Sequence, residues 1–290
     1  MIKARRVVFD WKATPLHWVP DDPFTTHVIN VLHLLLPAGE KWFCDVFREA
    51  LPAITDDQLR DDVKGFVGQE SLHSRAHAAV VVHMADDGLD TRSYTAKIDW
   101  LFERLLGSHP LGVHRGMWLL RRQWLSTRLA IIAAIEHCTS VLGWWAITSS
   151  EALDEAGADP TMLDLLRWHG AEEVEHRSVA FDLYQHLSGS YVRRVLAMIV
   201  VFPIILWLWM IGTAYLMRHD PAVAPADKAS VRRFVKVSRS GRLPSAGYLV
   251  GAVPPFLRPG FHPESKASTE VALAYLARSP AARAAAGHAV

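Results

Sequence analysis

The stretch Glu70–His73 has the sequence Glu-Ser-Leu-His, and a second stretch, Glu173–His176, has the sequence Glu-Val-Glu-His. These two stretches carry the prediction of the fold. Each is a Glu-x-x-His pattern on a segment that favours helix, and a single glutamate on an apolar helical stretch precedes each one, Glu40 and Glu136 respectively. Residues three apart lie on the same side of a helix, one turn above the other. This order of side chains is typical of a four-helix bundle that holds two metal ions between its helices.

The spacing assigns a role to each pair. Glu70 and His73 are expected to bind one ion and Glu173 and His176 the other, while the two single glutamates bridge or complete the pair. Carboxylate and imidazole together suit iron, manganese or zinc better than calcium, which prefers oxygen ligands alone. We expect two metal ions, iron first, with manganese or zinc as alternatives. The competing interpretation is that these residues are exposed helix charges.

A further histidine extends the second pattern. His169 lies four residues before Glu173, which gives His-x-x-x-Glu-x-x-His. This arrangement resembles the diiron arylamine N-oxygenases, and the resemblance implies that His169 also binds iron; a core histidine is the alternative. His77 and Glu172 could bind a metal or hydrogen-bond to a ligand. The candidate metal ligands are therefore Glu40, Glu70, His73, Glu136, His169, Glu173 and His176, with His77 and Glu172 as further candidates, and no other catalytic residue is assigned.

The composition narrows the class of protein. The chain has 290 residues, half of them hydrophobic, and a net charge of +1. It therefore has no strong positive electrostatic field that would indicate a nucleic-acid partner. Its mean hydropathy of +0.10 is high for a soluble enzyme. Cys44 and Cys138 are too few for a disulfide scaffold and are expected to be buried thiols. The first residues lack the apolar run of a secretory signal, which predicts a cytoplasmic location.

Nearly every long segment reads as helix, and strand-like alternation is nearly absent. The expected helices cover roughly residues 25–50, 56–84, 91–106, 116–149, 160–187 and 265–276. The predicted fold is therefore all-α, a ferritin-like four-helix bundle with a dinuclear metal site, extra helices and a C-terminal hydrophobic segment. The predicted divisions are a metal-binding helical domain over residues 1–190, a hydrophobic helix over 191–220 and a basic extension over 221–290.

Residues 195–217 form an apolar run without a charged side chain, flanked by Arg193 and Arg194 on one side and Arg218 on the other. About 20 such residues can span a bilayer. Three interpretations stay open: a membrane span, a re-entrant or in-plane segment bent at Pro203, and a buried helix or subunit contact. The prediction is a protein associated with the inner face of the cell membrane, through this run and the basic residues that follow it.

Five segments resemble one bacterial family, which is described as predicted metal-dependent hydrolases. These segments are residues 36–40, 69–73, 136–139, 168–176 and 259–263. The resemblance extends over most of the chain and implies a metal-dependent protein with a ferritin-like core. The ligand pattern itself is closer to that of diiron sites that activate oxygen.

Three functions follow from these patterns. The leading prediction is a non-haem diiron oxidoreductase that uses O₂ to hydroxylate, desaturate or N-oxidise a small apolar or lipid-like substrate, with electrons from an unidentified donor. The alternative is a dinuclear metal-dependent hydrolase, and a further one is an iron-handling ferritin-like protein. The predicted partners also include the membrane surface and a second copy of the chain in a homodimer, but no nucleic acid.

Overall fold

The computed structural model describes residues 2–112 and 117–287, and within these ranges it contains helices and loops but no strand. The prediction of an all-α protein is therefore confirmed.

The long helices that begin the chain and the short ones that end it have the following bounds. They are α1 (Pro23–Ala50), α2 (Asp57–Asp86), α3 (Arg92–Trp100), α4 (Met117–Thr148), α5 (Glu151–Glu155), α6 (Pro160–His176), α7 (Val179–Leu187), α8 (Tyr191–His219), α9 (Val231–Arg239), α10 (Ala246–Gly251), α11 (Val253–Phe256), α12 (Thr269–Leu276) and α13 (Pro280–Gly287). A π-helical turn, Leu101–Leu105, extends α3.

Aspartates fix where three of the bundle helices begin. The side chains of Asp22, Asp56 and Asp159 each accept a hydrogen bond from the backbone N–H three residues later, at the starts of α1, α2 and α6. Such caps satisfy backbone donors that have no partner inside the helix.

Four helical rods form the bundle: α1, α2, α4, and α6 followed by α7. The helix α1 packs along α2, α4 packs along α6 and α7, and α2 closes the arrangement against α6 and α7. The expected single helix over 160–187 is interrupted between His176 and Val179, so that α6 and α7 are separate helices. Stacked rings of Phe47 and Phe66, with centroids 4.4 Å apart, fill the core between α1 and α2.

A pair of glycines allows α4 and α6 to approach closely. A Cβ atom added at Gly143 would lie 2.5 Å from the carbonyl oxygen of Gly170, and one added at Gly170 would lie 2.8 Å from Cα of Gly143. Both distances are shorter than carbon contacts allow, so only glycine fits at this crossing. The crossing lies two turns after Glu136 on α4 and one turn before Glu173 on α6.

The apolar run forms α8, which packs against both α1 and α4. The indole N–H of Trp209 donates to the carbonyl of Val28, and the hydroxyl of Tyr94 donates to the carbonyl of Leu208. Toward the chain's end, α12 and α13 pack against α6. Within the described ranges, two helical stretches are long and apolar enough to cross a membrane, Leu120–Thr148 and Tyr191–His219.

Neither cysteine forms a disulfide. Cys44 is buried on α1 and Cys138 is half-buried on α4. Burial raises the pKa of the Cys44 thiol to about 11, so that this side chain stays neutral in the core.

Candidate metal centre

All seven predicted ligands point into the core of the bundle. Glu40 comes from α1, Glu70 and His73 from α2, Glu136 from α4, and the remaining three from α6. None of the seven is more than 5% exposed. Charged side chains are almost never buried in this way unless they are paired or bind a metal.

The ligand atoms fall into two groups of four. In each group, one nitrogen or oxygen atom from every residue lies within 4.8 Å of the others. The first group is Glu40, His73, His169 and Glu173, and the second is Glu70, Glu136, Glu173 and His176. Glu173 belongs to both groups. Its Oε1 lies 2.9 Å from Nε2 of His169, and its Oε2 lies 3.6 Å from Nε2 of His176.

Glu70 also lies between the groups. Its Oε1 is 3.2 Å from Nε2 of His176 and 3.6 Å from Nδ1 of His73. The structure thus divides the residues differently from the sequence, which pairs Glu70 with His73 on one ion. The difference arises because the Glu70 carboxylate reaches across from α2 to α6, a contact that spacing along one helix cannot reveal.

The donor atoms of both groups have unsatisfied hydrogen-bonding capacity. Both carboxylate oxygens of Glu40, Glu70 and Glu136 are buried without a hydrogen-bond partner among the described residues, as are Nδ1 of His73 and Nε2 of His176. A buried polar atom without a partner costs about 1–3 kcal/mol, and more when charged. These free atoms all face the same space, so the residues fit a pair of divalent cations of the iron, manganese or zinc class.

The close packing of these buried carboxylates shifts their pKa values. Burial, together with the neighbouring carboxylate of Glu173, raises the pKa of Glu70 and that of Glu136 to about 8. Burial also raises the pKa of Glu173, but the adjacent His176 and His169 outweigh it and hold that pKa well below its usual range. Carboxylates this close cannot all ionise without cations, so metal binding must release protons.

Two hydrogen bonds orient the imidazole rings. The Nδ1–H of His176 donates to Oε1 of Gln69 at 2.9 Å, and the Nε2–H of His73 donates to Oε2 of Glu172 at 2.9 Å. The opposite nitrogen of each ring, Nδ1 of His73 and Nε2 of His176, then faces one of the two groups. Outer contacts of this kind fix the tautomer of a metal-binding histidine and raise its basicity. Glu172, a further candidate from the sequence, therefore lies behind His73 and outside both groups.

An arginine that is distant in sequence binds the residues that lie behind the histidine rings. Nη1 of Arg5 lies 2.7 Å from Oε1 of Glu172 and 2.7 Å from Oε2 of Glu175. The amide of Gln69 also donates to Oε2 of Glu175 at 2.8 Å. The segment before α1 thus contacts the side of α6 that faces away from the two groups. No motif in the sequence indicates this contact.

A line of three histidines leads away from the first group. Nδ1 of His169 lies 2.8 Å from Nε2 of His77, and Nδ1 of His77 lies 2.7 Å from Nδ1 of His33. Both ring nitrogens of His77 contact other histidines, so this further candidate lies behind His169 and outside both groups. Burial lowers the pKa of His33 to about 3, and that ring is therefore neutral at pH 7.

One contact near the centre was missed by the sequence patterns. The hydroxyl of Thr139, one turn after Glu136, donates to Oε2 of Glu173. His137, by contrast, faces away and contacts the carbonyl of Ala252. A threonine three residues after a ligand on α4 is a signal that could have been used, because residues at that spacing share a helix face.

The fold and this cluster define a class: an all-α protein with two buried groups of carboxylates and imidazoles that could hold metal ions. The chain belongs to the family described as "Predicted metal-dependent hydrolase", whose sequence pattern matches residues 3–267. No curated protein and no solved structure matches the chain. The family supports metal dependence, while the resemblance to the diiron arylamine N-oxygenases stays a prediction.

Proposed function

We propose that the chain is a dinuclear metal-dependent hydrolase. The observation that carries this proposal is Glu173, whose two oxygens face two separate groups of donor atoms. A carboxylate shared in this way suits two metal ions held side by side. Hydrolysis is the reaction that the family's description names.

The residues of this chain would divide the work as follows. Glu40, His73 and His169 would hold one ion and Glu70, Glu136 and His176 the other, with Glu173 common to both. Two bound divalent ions supply an activated water and stabilise the negative charge that develops on a substrate oxygen. Gln69 and Glu172 keep the rings of His176 and His73 in position, and Thr139 holds one oxygen of Glu173.

Oxidation by O₂ is the second candidate function, and the composition and burial of the donor set favour it. Four carboxylates and three imidazoles form a set typical of diiron sites in helical bundles. The site lies in the bundle core, where it is shielded from bulk water, as redox chemistry on an apolar substrate requires. Iron would then be the native metal, and an electron donor would be needed.

One reconstitution experiment separates the two reactions. Metal-free protein is loaded with Fe²⁺ without oxygen, or with Mn²⁺ or Zn²⁺, and each form is assayed for cleavage of p-nitrophenyl esters and phosphates and for O₂ uptake. Zn²⁺- or Mn²⁺-dependent cleavage without O₂ uptake supports the hydrolase. O₂ uptake by the Fe²⁺ form with a transient visible band and no cleavage refutes it in favour of the oxidase. Mineral-core formation instead would indicate iron handling.

Two variants make this assay specific. Glu136→Ala removes a donor that only the second group contains and is expected to abolish activity in every metal form. Glu103→Ala, an exposed glutamate on the π-helical turn after α3, is the matched control and should leave activity unchanged. Equal activity in the two variants would exclude the cluster as the reaction centre.

We also propose that the outer face of α8 lies on an anionic membrane surface. An uncharged stripe of exposed apolar side chains runs along this face at helical spacing: Val192, Leu196, Ile199, Val200, Ile204, Trp207, Met210 and Ile211. The opposite face packs on α1 and α4, which favours an in-plane segment over an isolated span. Exposed Arg218 at the end of α8 and the basic helix α9 complement acidic head groups.

Vesicle binding tests this surface. Leu196→Glu with Trp207→Glu should abolish sedimentation with vesicles that contain phosphatidylserine, since buried apolar area and charge attraction drive such binding. Val82→Glu, at an exposed apolar position on α2, is the control and should still bind. If the double variant instead converts a dimer into a monomer without changing vesicle binding, the stripe is a subunit contact and the membrane proposal fails.

A further inference from the structure

A second cluster of metal-type ligands lies away from the dinuclear centre. It consists of His17 in the segment before α1, His27 in the first two turns of α1, and Asp220 directly after α8, and one ligand atom from each lies within 4.8 Å of the others. None of the three belongs to the groups described above. His27 precedes Glu40 by thirteen residues, which is about 20 Å along the helix.

The two rings converge on one oxygen atom. Oδ2 of Asp220 lies 2.5 Å from Nε2 of His17 and 2.6 Å from Nε2 of His27. The other oxygen of Asp220 accepts a hydrogen bond from the backbone N–H of Ala222 at 2.8 Å. That bond fixes the orientation of the carboxylate, as contacts behind a metal ligand commonly do.

We propose that His17, His27 and Asp220 bind one zinc-class divalent cation. Two imidazole nitrogens and one carboxylate oxygen form a donor set that suits Zn²⁺, with water in the remaining position. The side chains of His27 and Asp220 are fully buried, while that of His17 is 27% exposed. The exposed ring gives both an entry path for the ion and access for the completing water.

The charge around Asp220 supports the same conclusion. The described contacts of the buried Asp220 carboxylate are two imidazoles and a backbone N–H, none of which carries a fixed positive charge. A divalent cation would balance the carboxylate without protonating a buried ring.

The site would join three parts of the chain that are distant in sequence. The segment before α1 already contacts the bundle through Trp18, whose indole N–H donates to Oδ1 of Asn30 at 2.8 Å. The same segment carries Arg5, which holds Glu172 and Glu175 behind the dinuclear centre. A cation at His17 would therefore fix the course of this segment across the ends of α1 and α8.

Zinc stoichiometry tests the proposal directly. Metal-free wild type and His17→Ala are equilibrated with Zn²⁺, desalted and analysed for bound zinc, and their folds are compared by circular dichroism. We expect His17→Ala to bind one ion fewer than wild type. This difference does not depend on whether the dinuclear centre takes up zinc, so the two proposals can fail separately. His219→Ala, which removes an exposed histidine next to Asp220, should bind as much zinc as wild type.

A second measurement isolates the site. In Glu173→Ala, which removes the residue shared by the two groups of the dinuclear centre, Zn²⁺ should still raise the melting temperature by several degrees, because a ligand that binds only the folded state stabilises it. Adding His17→Ala should abolish that rise. Equal zinc content in His17→Ala and wild type, or an undiminished rise in the double variant, overturns the proposal and leaves a hydrogen-bonded His–Asp–His cluster. If Glu173→Ala does not fold, the stoichiometry comparison alone decides.

Discussion

Replacement of Gly143 by alanine tests whether the close crossing of α4 and α6 controls the metal centre. The added methyl carbon would lie 2.5 Å from the carbonyl oxygen of Gly170, where ordinary contact requires 3.4 Å or more. Both atoms belong to rigid helices, so the overlap of about 0.9 Å can be relieved only if the helices separate. Overpacking of this kind typically costs about 1–3 kcal/mol.

An opposing effect must be weighed against this cost. Alanine favours helix over glycine by about 1 kcal/mol, so the net loss is expected to be up to about 2 kcal/mol. For a chain of this size each kcal/mol shifts the melting temperature by roughly 2–4 °C. Gly251→Ala is the matched control, because Gly251 is a helical glycine with open space around the position of its Cβ.

The separation also moves Glu136 away from Glu173 and His176. Metal sites tolerate deviations of only about 0.2 Å in ligand distances, so a shift near 1 Å should lower metal affinity far more than stability. The assay combines thermal unfolding followed by circular dichroism with metal content after dialysis against a weak chelator. If Gly143→Ala retains both the wild-type melting temperature and full metal content, the crossing does not set the geometry of the centre.

Three further outcomes follow from the same geometry. Glu173→Ala should lose both ions of the dinuclear centre and Glu40→Ala mainly one, as measured by metal analysis; loss of one ion in both variants would contradict the shared role of Glu173. His77→Ala should weaken metal binding about 10–100-fold, as loss of a contact behind a ligand does, while circular dichroism remains unchanged; wild-type affinity would refute the role of the histidine line. Because burial raises the pKa of Glu70 and Glu136 from 4.5 to about 8, the metal-free protein should be most stable below about pH 4.5 with respect to these two groups. It should lose that contribution as the pH rises through about 8, and a melting temperature in chelator that stays flat from about pH 6 to 9 would contradict this.

Sequence periodicity predicts the helices and the inward direction of the ligands for a definite reason. Both depend on the 3.6-residue repeat of a single helix, which relates Glu70 to His73 and Glu173 to His176 without knowledge of the partners. The all-α class follows from such patterns, the family follows from the resemblance of five segments, and both are confirmed. The division of the ligands between two ions depends on reach across the bundle, which spacing along one helix does not encode, and the pairing of Glu70 with His73 on one ion stays a prediction.

The other features that the sequence does not predict are contacts between residues that no periodic pattern relates. Arg5 contacts Glu172, which lies 167 residues later in the chain, and His17 contacts Asp220, which lies 203 residues later. The approach of Gly143 to Gly170 is equally invisible, since a glycine within a helix more often marks an end or a loss of stability. Such pairs depend on the paths of the loops that bring distant helices together, and local secondary-structure propensities do not encode these paths.

The unsatisfied carboxylates in the middle of the bundle have a consequence for the life of the newly made chain. The carboxylate oxygens of Glu40, Glu70 and Glu136 have no hydrogen-bond partner among the described residues, so without the proposed metal ions a newly folded chain has a native state that is poorly stabilised at its centre. Proteases that remove incompletely folded chains would then degrade it preferentially. The amount of this protein in a cell should therefore follow the cell's supply of transition metals, even if the rate of synthesis is constant.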